Sequence, residues 1–243
     1  MNKEKPVLFW DFHGTLTLPD ITWFDVAAEV AAEKVPEKPL DAEVLKKNLG
    51  ASCLPWFTIP SRDTRHVAGS EKWWAHSAGN FAAMYVQCGF TQAEAAAMAP
   101  LLRGKVLQPQ RYRLYPDALP TLRTLAGRGI QSYILSNNFP ELAQLTHALG
   151  LGELLQGVLV SGEIGFDKPR LEIFEYARQV AGWPKEPWMI GDNPSDDIDG
   201  GRAAGFVSVA VHGVHAPQAA YSVNDLAEIL QLLPEESPVG AME

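Results

Sequence analysis

The chain of 243 residues has only two cysteines, Cys53 and Cys88. They have no metal-ligand spacing and form no disulfide framework, so the expectation is two reduced thiols in a cytoplasmic protein. No window approaches the roughly 20 apolar residues that a membrane-spanning helix requires. Met1 to Pro6 carry two lysines, but a strand-like run follows them rather than the apolar core of a signal peptide. Positive charge is also scarce: 20 Lys and Arg stand against 29 Asp and Glu, a net charge of −9. That balance argues against a basic surface for nucleic acid. Internal repeats are absent, and the one stretch expected to fray is the tail, Pro234 to Glu243.

The hydrophobic content, 47%, is that of a globular protein and excludes a disordered chain. Pro6–Phe12 is a short apolar run ending in an acid and reads as a buried first strand. From Ile21 to about Arg103 the pattern is helical, with apolar residues three and four apart, as in Trp23, Val26, Ala27 and Val30, and later Phe81, Met84 and Tyr85. Within it, Leu54–Pro60 reads as a loop. After Tyr115 strands and helices alternate. Strands are expected at Ile130–Ser136, Gly157–Ser161, Pro187–Gly191 and Phe206–Val211. Helices are expected over Asp117–Ala126 and Pro140–Leu149, from Pro169, from Ser195, and near Val223–Leu233. Such alternation implies right-handed βαβ units and a parallel sheet.

The interval between the first and second strands far exceeds the roughly 30 residues of an ordinary βαβ unit. The expected fold is therefore α/β, a doubly wound parallel-sheet core with an inserted helical cap. Residues 1–18 and 114–243 form the core and 19–113 the cap. Ligands of open α/β sheets bind beyond the carboxyl ends of the strands, where such an insertion would sit.

Those strand ends carry the chemistry. Asp11 closes the first strand, with His13, Gly14 and Thr15 beyond it. Ser136, Asn137 and Asn138 close the second, Lys168 follows the third, and Asp192, Asp196, Asp197 and Asp199 follow the fourth. Carboxylates converging from Asp11 and the fourth strand would repel one another unless a hard divalent cation, Mg²⁺ for preference, neutralised them. Asp196 and Asp197 read otherwise as acids at a helix N-terminus, with Ser195 as its cap, and the same reading extends to Asp199. Asn137 and Asn138 read as turn residues. Lys168 lies at a helix end where a cation opposes the dipole unless a phosphate or an aspartate compensates it.

Asp11-Phe-His13-Gly-Thr15-Leu16, Ser136 at a strand end, Lys168 in Gly-Phe-Asp-Lys-Pro-Arg and Gly191-Asp192-Asn-Pro-Ser-Asp-Asp197 occur in order over Val7–Val211. This set resembles the haloacid dehalogenase-like hydrolase superfamily, in the branch with a helical cap after the first motif. The resemblance implies that Asp11 is the nucleophile that forms an aspartyl-phosphate. It implies that Asp11, the backbone carbonyl of His13 and Asp192 hold Mg²⁺, with Asp197 supporting the metal's waters. It further implies that Ser136 and Lys168 hold the phosphoryl group, with Gly14, Thr15 and Asn137 around it. The departure is His13, where phosphatases of the family carry a second aspartate, dehalogenating members Tyr and phosphonate-cleaving members Ala. His13 is open to three readings: a working acid–base group, a mark of weakened catalysis, or a residue with no part in proton transfer.

The expected activity is Mg²⁺-dependent hydrolysis of a small phosphate monoester, such as a nucleotide, a sugar phosphate or a phosphoglycolate-like compound. The alternatives are a weakened phosphate-binding or regulatory protein and a dehalogenase. Trp23, Trp56, Trp73 and Trp74 read as packing within the insertion. Arg62 and Arg65 read equally as surface or as contacts to an anionic substrate, and Arg103, Lys105, Arg111 and Arg113 as a cluster too small for nucleic acid. His66, His76, His147, His212 and His215 show no partner in the sequence. Oligomeric state is not legible.

Overall fold

A computed structural model of the chain describes residues 5–19, 22–49 and 53–233. The expected fraying tail and the start of the helical stretch at Ile21 lie outside them. Strand β1 (Val7–Trp10) is followed by the helices α1 (Thr22–Lys34), α2 (Ala42–Leu49), α3 (Pro55–Thr58), α4 (Ser70–Gln87), α5 (Gln92–Met98) and α6 (Leu101–Val106). The alternating part then runs α7 (Ala118–Gly127), β2 (Gln131–Ser136), α8 (Leu142–Ala148), β3 (Gly157–Val160), α9 (Ser161–Ile164), α10 (Leu171–Val180) and β4 (Pro187–Gly191). A wide π-type turn over Pro194–Asp199 leads into α11 (Gly200–Ala203), β5 (Val207–Ala210), β6 (Tyr221–Ser222) and α12 (Ile229–Leu232).

Among the described residues six strands form one parallel sheet in the order β3-β2-β1-β4-β5-β6. β1 lies at its centre, with Val7 level with both Gln131 and Pro187. All four residues of β1 are buried because both faces of the sheet are covered. The period of two then divides them. Leu8 and Trp10 join the larger core with Ile134, Ile190 and Val209, while Val7 and Phe9 pack on the other face with Phe174 and Met189.

The larger core continues without a break into the helical insertion. Trp23, Trp73 and Trp74 lie against Phe139, which follows β2, with ring centroids 6.0–6.3 Å apart. The tryptophans thus pack as the sequence suggests, but onto the sheet-bearing part as well as within the insertion.

Several boundaries differ from expectation. Pro55–Thr58 is a turn of helix rather than loop, opened by a proline whose missing N–H is no loss at a first helical position. Helix α10 starts at Leu171, not Pro169, because Arg170 is still extended (ψ 140°). The residue capping the turn after β4 is Asn193, whose Oδ1 accepts from the amides of Ser195 and Asp196, and not Ser195. The expected final helix resolves into a 3₁₀ turn, Leu226–Glu228, closed by a capping box from Asp225, followed by the short α12. β6, two exposed residues on the sheet edge, carries too little pattern to be read from sequence.

Candidate active site

The order of strands reverses direction at β1 and β4, and the side chains of interest gather beyond their carboxyl ends. The amide of Asp11 still donates to Ile190 O at 2.9 Å, so the aspartate continues the ladder by one residue. The chain then turns sharply, with Leu16 and Thr17 N–H both donating to Phe12 O at 3.0 Å. Gly14 adopts φ +77°, and a Cβ built there would lie 2.3 Å from Asp192 Oδ2. Glycine is thus required twice, for backbone conformation and for the approach of a carboxylate. Thr15 Oγ1 donates to Asp192 Oδ1 at 2.8 Å, orienting that acid. At the end of β4, a Cβ on Gly191 would lie 2.1 Å from Asp197 Oδ2.

Lys168 organises the centre. Its side chain is almost wholly buried, and Nζ donates to Asp11 Oδ1 at 2.8 Å, Asp197 Oδ1 at 2.6 Å and Leu135 O at 2.8 Å. Burial opposes its charge, yet the Asp11 and Asp197 carboxylates hold the ammonium above the ordinary lysine range. The dipole conflict seen in the sequence is therefore resolved by aspartates. Burial pushes the Asp197 carboxyl up, against the pull of Lys168. Asp192 is raised by burial and then by the negative charge of Asp11.

Asp11, Asp192 and Asp197 each offer an oxygen within 4.8 Å of the others. Three acids thus gather around one ammonium, and a divalent cation among their oxygens would favour their charged forms. The donors are all hard oxygens, the set that suits Mg²⁺. Asp197 Oδ1 and Oδ2 already accept from Lys168 Nζ and from the Asn193 amide (3.0 Å), which places Asp197 behind the other two acids. Asp199 lies outside the cluster.

The half-buried Asn137 side chain binds the Lys168 main chain: its Oδ1 accepts from Lys168 N at 2.7 Å and its Nδ2 donates to Lys168 O at 3.0 Å. It clamps the lysine's main chain, because a side-chain amide matches a peptide in both donor and acceptor. Thr15 likewise gives its hydroxyl to Asp192. Ser136 is buried at the end of β2, where Asn138 Nδ2 donates to its Oγ at 3.4 Å. His13 is half-buried in an aromatic corner, 5.0 Å from the Phe12 ring and 5.8 Å from the Tyr112 ring.

Sequence reasoning missed His212. It stacks on Tyr115 at 3.6 Å, and its Nε2 lies 2.9 Å from Thr15 O, so it braces the loop that carries Thr15. A His-Gly pair directly after a strand was the available signal. Three members of the basic cluster pair with acids: Lys105 with Glu29 and Glu33, Arg111 with Glu29, and Arg103 with Glu141.

The sequence pattern of the haloacid dehalogenase-like hydrolase family matches residues 6–205. The chain belongs to that family. It is 38% identical over 104 residues to the phosphoserine phosphatase of Thermus thermophilus (42% of each chain). It is 32% identical over 126 residues to the pyrimidine 5'-nucleotidase YjjG of Escherichia coli (49% of this chain and 56% of that one). The chain spans about half the length of the curated relatives it matches. The fold is similar to that of the HAD-hydrolase YfnB from Bacillus subtilis, a structure with bound magnesium, at TM-score 0.71 and 20% identity, covering 95% of this chain and 99% of that one.

Proposed function

We propose that this hydrolase cleaves a small phosphate monoester with Mg²⁺ bound, by way of a phosphorylated Asp11. The observation that carries the reading is the Lys168 ammonium bridging Asp11 and Asp197, with Asp192 alongside. That arrangement sets an ammonium against the Asp11 carboxyl group at the carboxyl end of the central strand and gathers three acids where one divalent ion could be held. Asp11 and Asp192 would hold the ion, with Asp197 behind them, and when bound it supplies positive charge to a phosphoryl oxygen.

In this reading an Asp11 oxygen attacks phosphorus, the P–O bond to the leaving group breaks, and an acyl phosphate forms on Asp11. Water then attacks that phosphorus, freeing phosphate and restoring the carboxylate. Lys168 supplies fixed positive charge beside Asp11 throughout, and Ser136 at the end of β2 takes a phosphoryl oxygen. His13 is the group offered for proton transfer to the leaving alkoxide and from the incoming water, since imidazole exchanges protons near neutrality. The insertion, residues 19–113, acts as the cap that excludes bulk water and selects the leaving group. The substrate class is a small phosphorylated metabolite, such as a nucleotide, a sugar phosphate or a phosphoglycolate-like acid. The phosphoserine phosphatase and the nucleotidase named above support a phosphate ester, while a similar match to a haloacid dehalogenase of Pseudomonas sp. keeps dehalogenation as the second reading.

A metabolite panel assayed with Mg²⁺, with a chelator, and with Asp11→Asn tests this reading. Phosphate release that is lost on chelation and in Asp11→Asn is expected. Phosphate-ligand binding without turnover would assign a regulatory role instead, and turnover of haloacids in the presence of chelator would assign dehalogenation.

A further inference from the structure

The carbonyl of Lys168 accepts from two side chains, Asn137 Nδ2 at 3.0 Å and Arg62 Nη1 at 3.1 Å. The same two donors reach Asp196 Oδ2, at 3.2 Å and 3.5 Å. Asn137 follows β2, Asp196 lies in the turn after β4, and Lys168 precedes α10. Arg62 comes from the helical insertion. Its side chain is one-quarter exposed, and the Asp196 side chain it meets is 13% exposed, so this charge reaches a largely desolvated acid.

The backbone aims it there. Arg62 adopts φ +55°, a region that a long unbranched side chain seldom occupies. Such a conformation persists where the surroundings over-determine it. Here the Arg62 N–H donates to Ile59 O at 2.9 Å and its carbonyl accepts from Asp167 N at 3.0 Å. The neighbouring main chain continues the seam, Thr64 N donating to Gly165 O at 2.8 Å and Gly69 N to Gly162 O at 2.8 Å. The insertion is thus sewn to the very loop that delivers Lys168.

We propose that Arg62 is a positioning residue for Lys168: seating of the insertion on residues 162–168 brings a guanidinium that fixes the Lys168 carbonyl and the Asp196 carboxylate together, and so sets the ammonium between Asp11 and Asp197. A planar guanidinium suits this task because one nitrogen directs two hydrogens at two acceptors in fixed geometry. The kinetic arm of the test rests on the phosphatase reading; the structural arm does not.

Two variants separate the possibilities. Arg62→Asn keeps a residue that tolerates left-handed backbone but removes the guanidinium, and Arg62→Lys keeps the charge without the planar group. With an aryl phosphate and Mg²⁺, Arg62→Asn is expected to lower kcat about 10–100-fold, with KM changed by less than about threefold. Arg62→Lys should recover part of that loss. In metal-free protein, amide exchange over 165–171 should quicken in Arg62→Asn. Unchanged exchange there would overturn the proposal, as would a raised KM with unchanged kcat, which would put the guanidinium on the substrate. Should the native chain release no phosphate at all, the phosphatase reading fails, and the exchange measurement alone decides the role of Arg62.

Discussion

At the scale of single residues, His13 and Asp167 carry the sharpest consequences. If His13 takes the place of the acid that the family resemblance implies, departure of a poor leaving group is the step it should handle least well. His13→Asp is expected to raise turnover of sugar phosphates by about tenfold or more while changing aryl phosphate turnover much less, since positioned acid–base groups contribute roughly 10²–10⁴-fold. Equal rates for both substrates in the native chain, unimproved by the substitution, would show His13 to be fully competent.

Asp167 is buried beside Lys168, and one of its oxygens, Oδ2, has no hydrogen-bond partner. Burial pushes its carboxyl up to about 6, against a hydrogen bond from Ser161 and the charge of Arg62. The folded protein therefore keeps this proton while the unfolded chain, titrating near 3.8, has lost it. The group's contribution to stability falls as pH rises from about 4 to about 6 and then levels off, a difference of about 3 kcal/mol at most. Asp167→Asn should melt higher than the native chain above pH 6, with the advantage gone below about pH 4. A pH-independent difference would refute this account.

The acids and the lysine were legible in the sequence because each follows a strand, and strand ends are where chemistry collects in such sheets. The side-chain partners of Asn137, Thr15 and His212 were not. Their roles depend on partners 31 to 197 residues away, and a side-chain amide or hydroxyl reads the same in sequence whether it meets a ligand or a main-chain group.

Among elements, the strands were read closely because β1, β2 and β4 are buried runs bounded by turn residues; β4 has the expected limits, Pro187–Gly191. Short turns such as Pro55–Thr58 and the wide turn after β4 were missed or mis-capped, because their form is set by one or two hydrogen bonds rather than by periodicity. The attachment of the insertion was also beyond sequence. Glu141, just before α8, accepts from Ser70 Oγ (2.6 Å), Trp74 Nε1 (2.9 Å) and Arg103 Nη2 (2.6 Å), all from the insertion. These donors hold its carboxyl below the usual range even though burial pushes the other way. Glu141→Ala strands three donors and should destabilise the protein by about 2–4 kcal/mol in denaturant unfolding. Lys46→Ala, which breaks the exposed Lys46–Glu43 pair, should change stability by less than about 1 kcal/mol. Similar effects from the two variants would show that Glu141 does not hold the insertion in place.

For the whole molecule, the fold and the candidate site are one construction. The sheet presents Asp11 and Asp192 from adjacent strands, the loop before α10 returns Lys168 between the acids, and the insertion closes on that same loop. Net acidity fits the proposed anionic substrate only if positive charge is concentrated where it is needed, and Lys168 with the proposed divalent ion would provide that. The central claim, that Asp11 becomes phosphorylated, is tested most directly by chemical trapping. The protein is mixed with Mg²⁺ and an acyl or aryl phosphate, quenched, reduced with borohydride and mapped by peptide mass spectrometry. The account predicts homoserine at position 11, formed only with Mg²⁺ and absent in Asp11→Asn; an unreduced Asp11 during active turnover, or label on Asp192 instead, would contradict it.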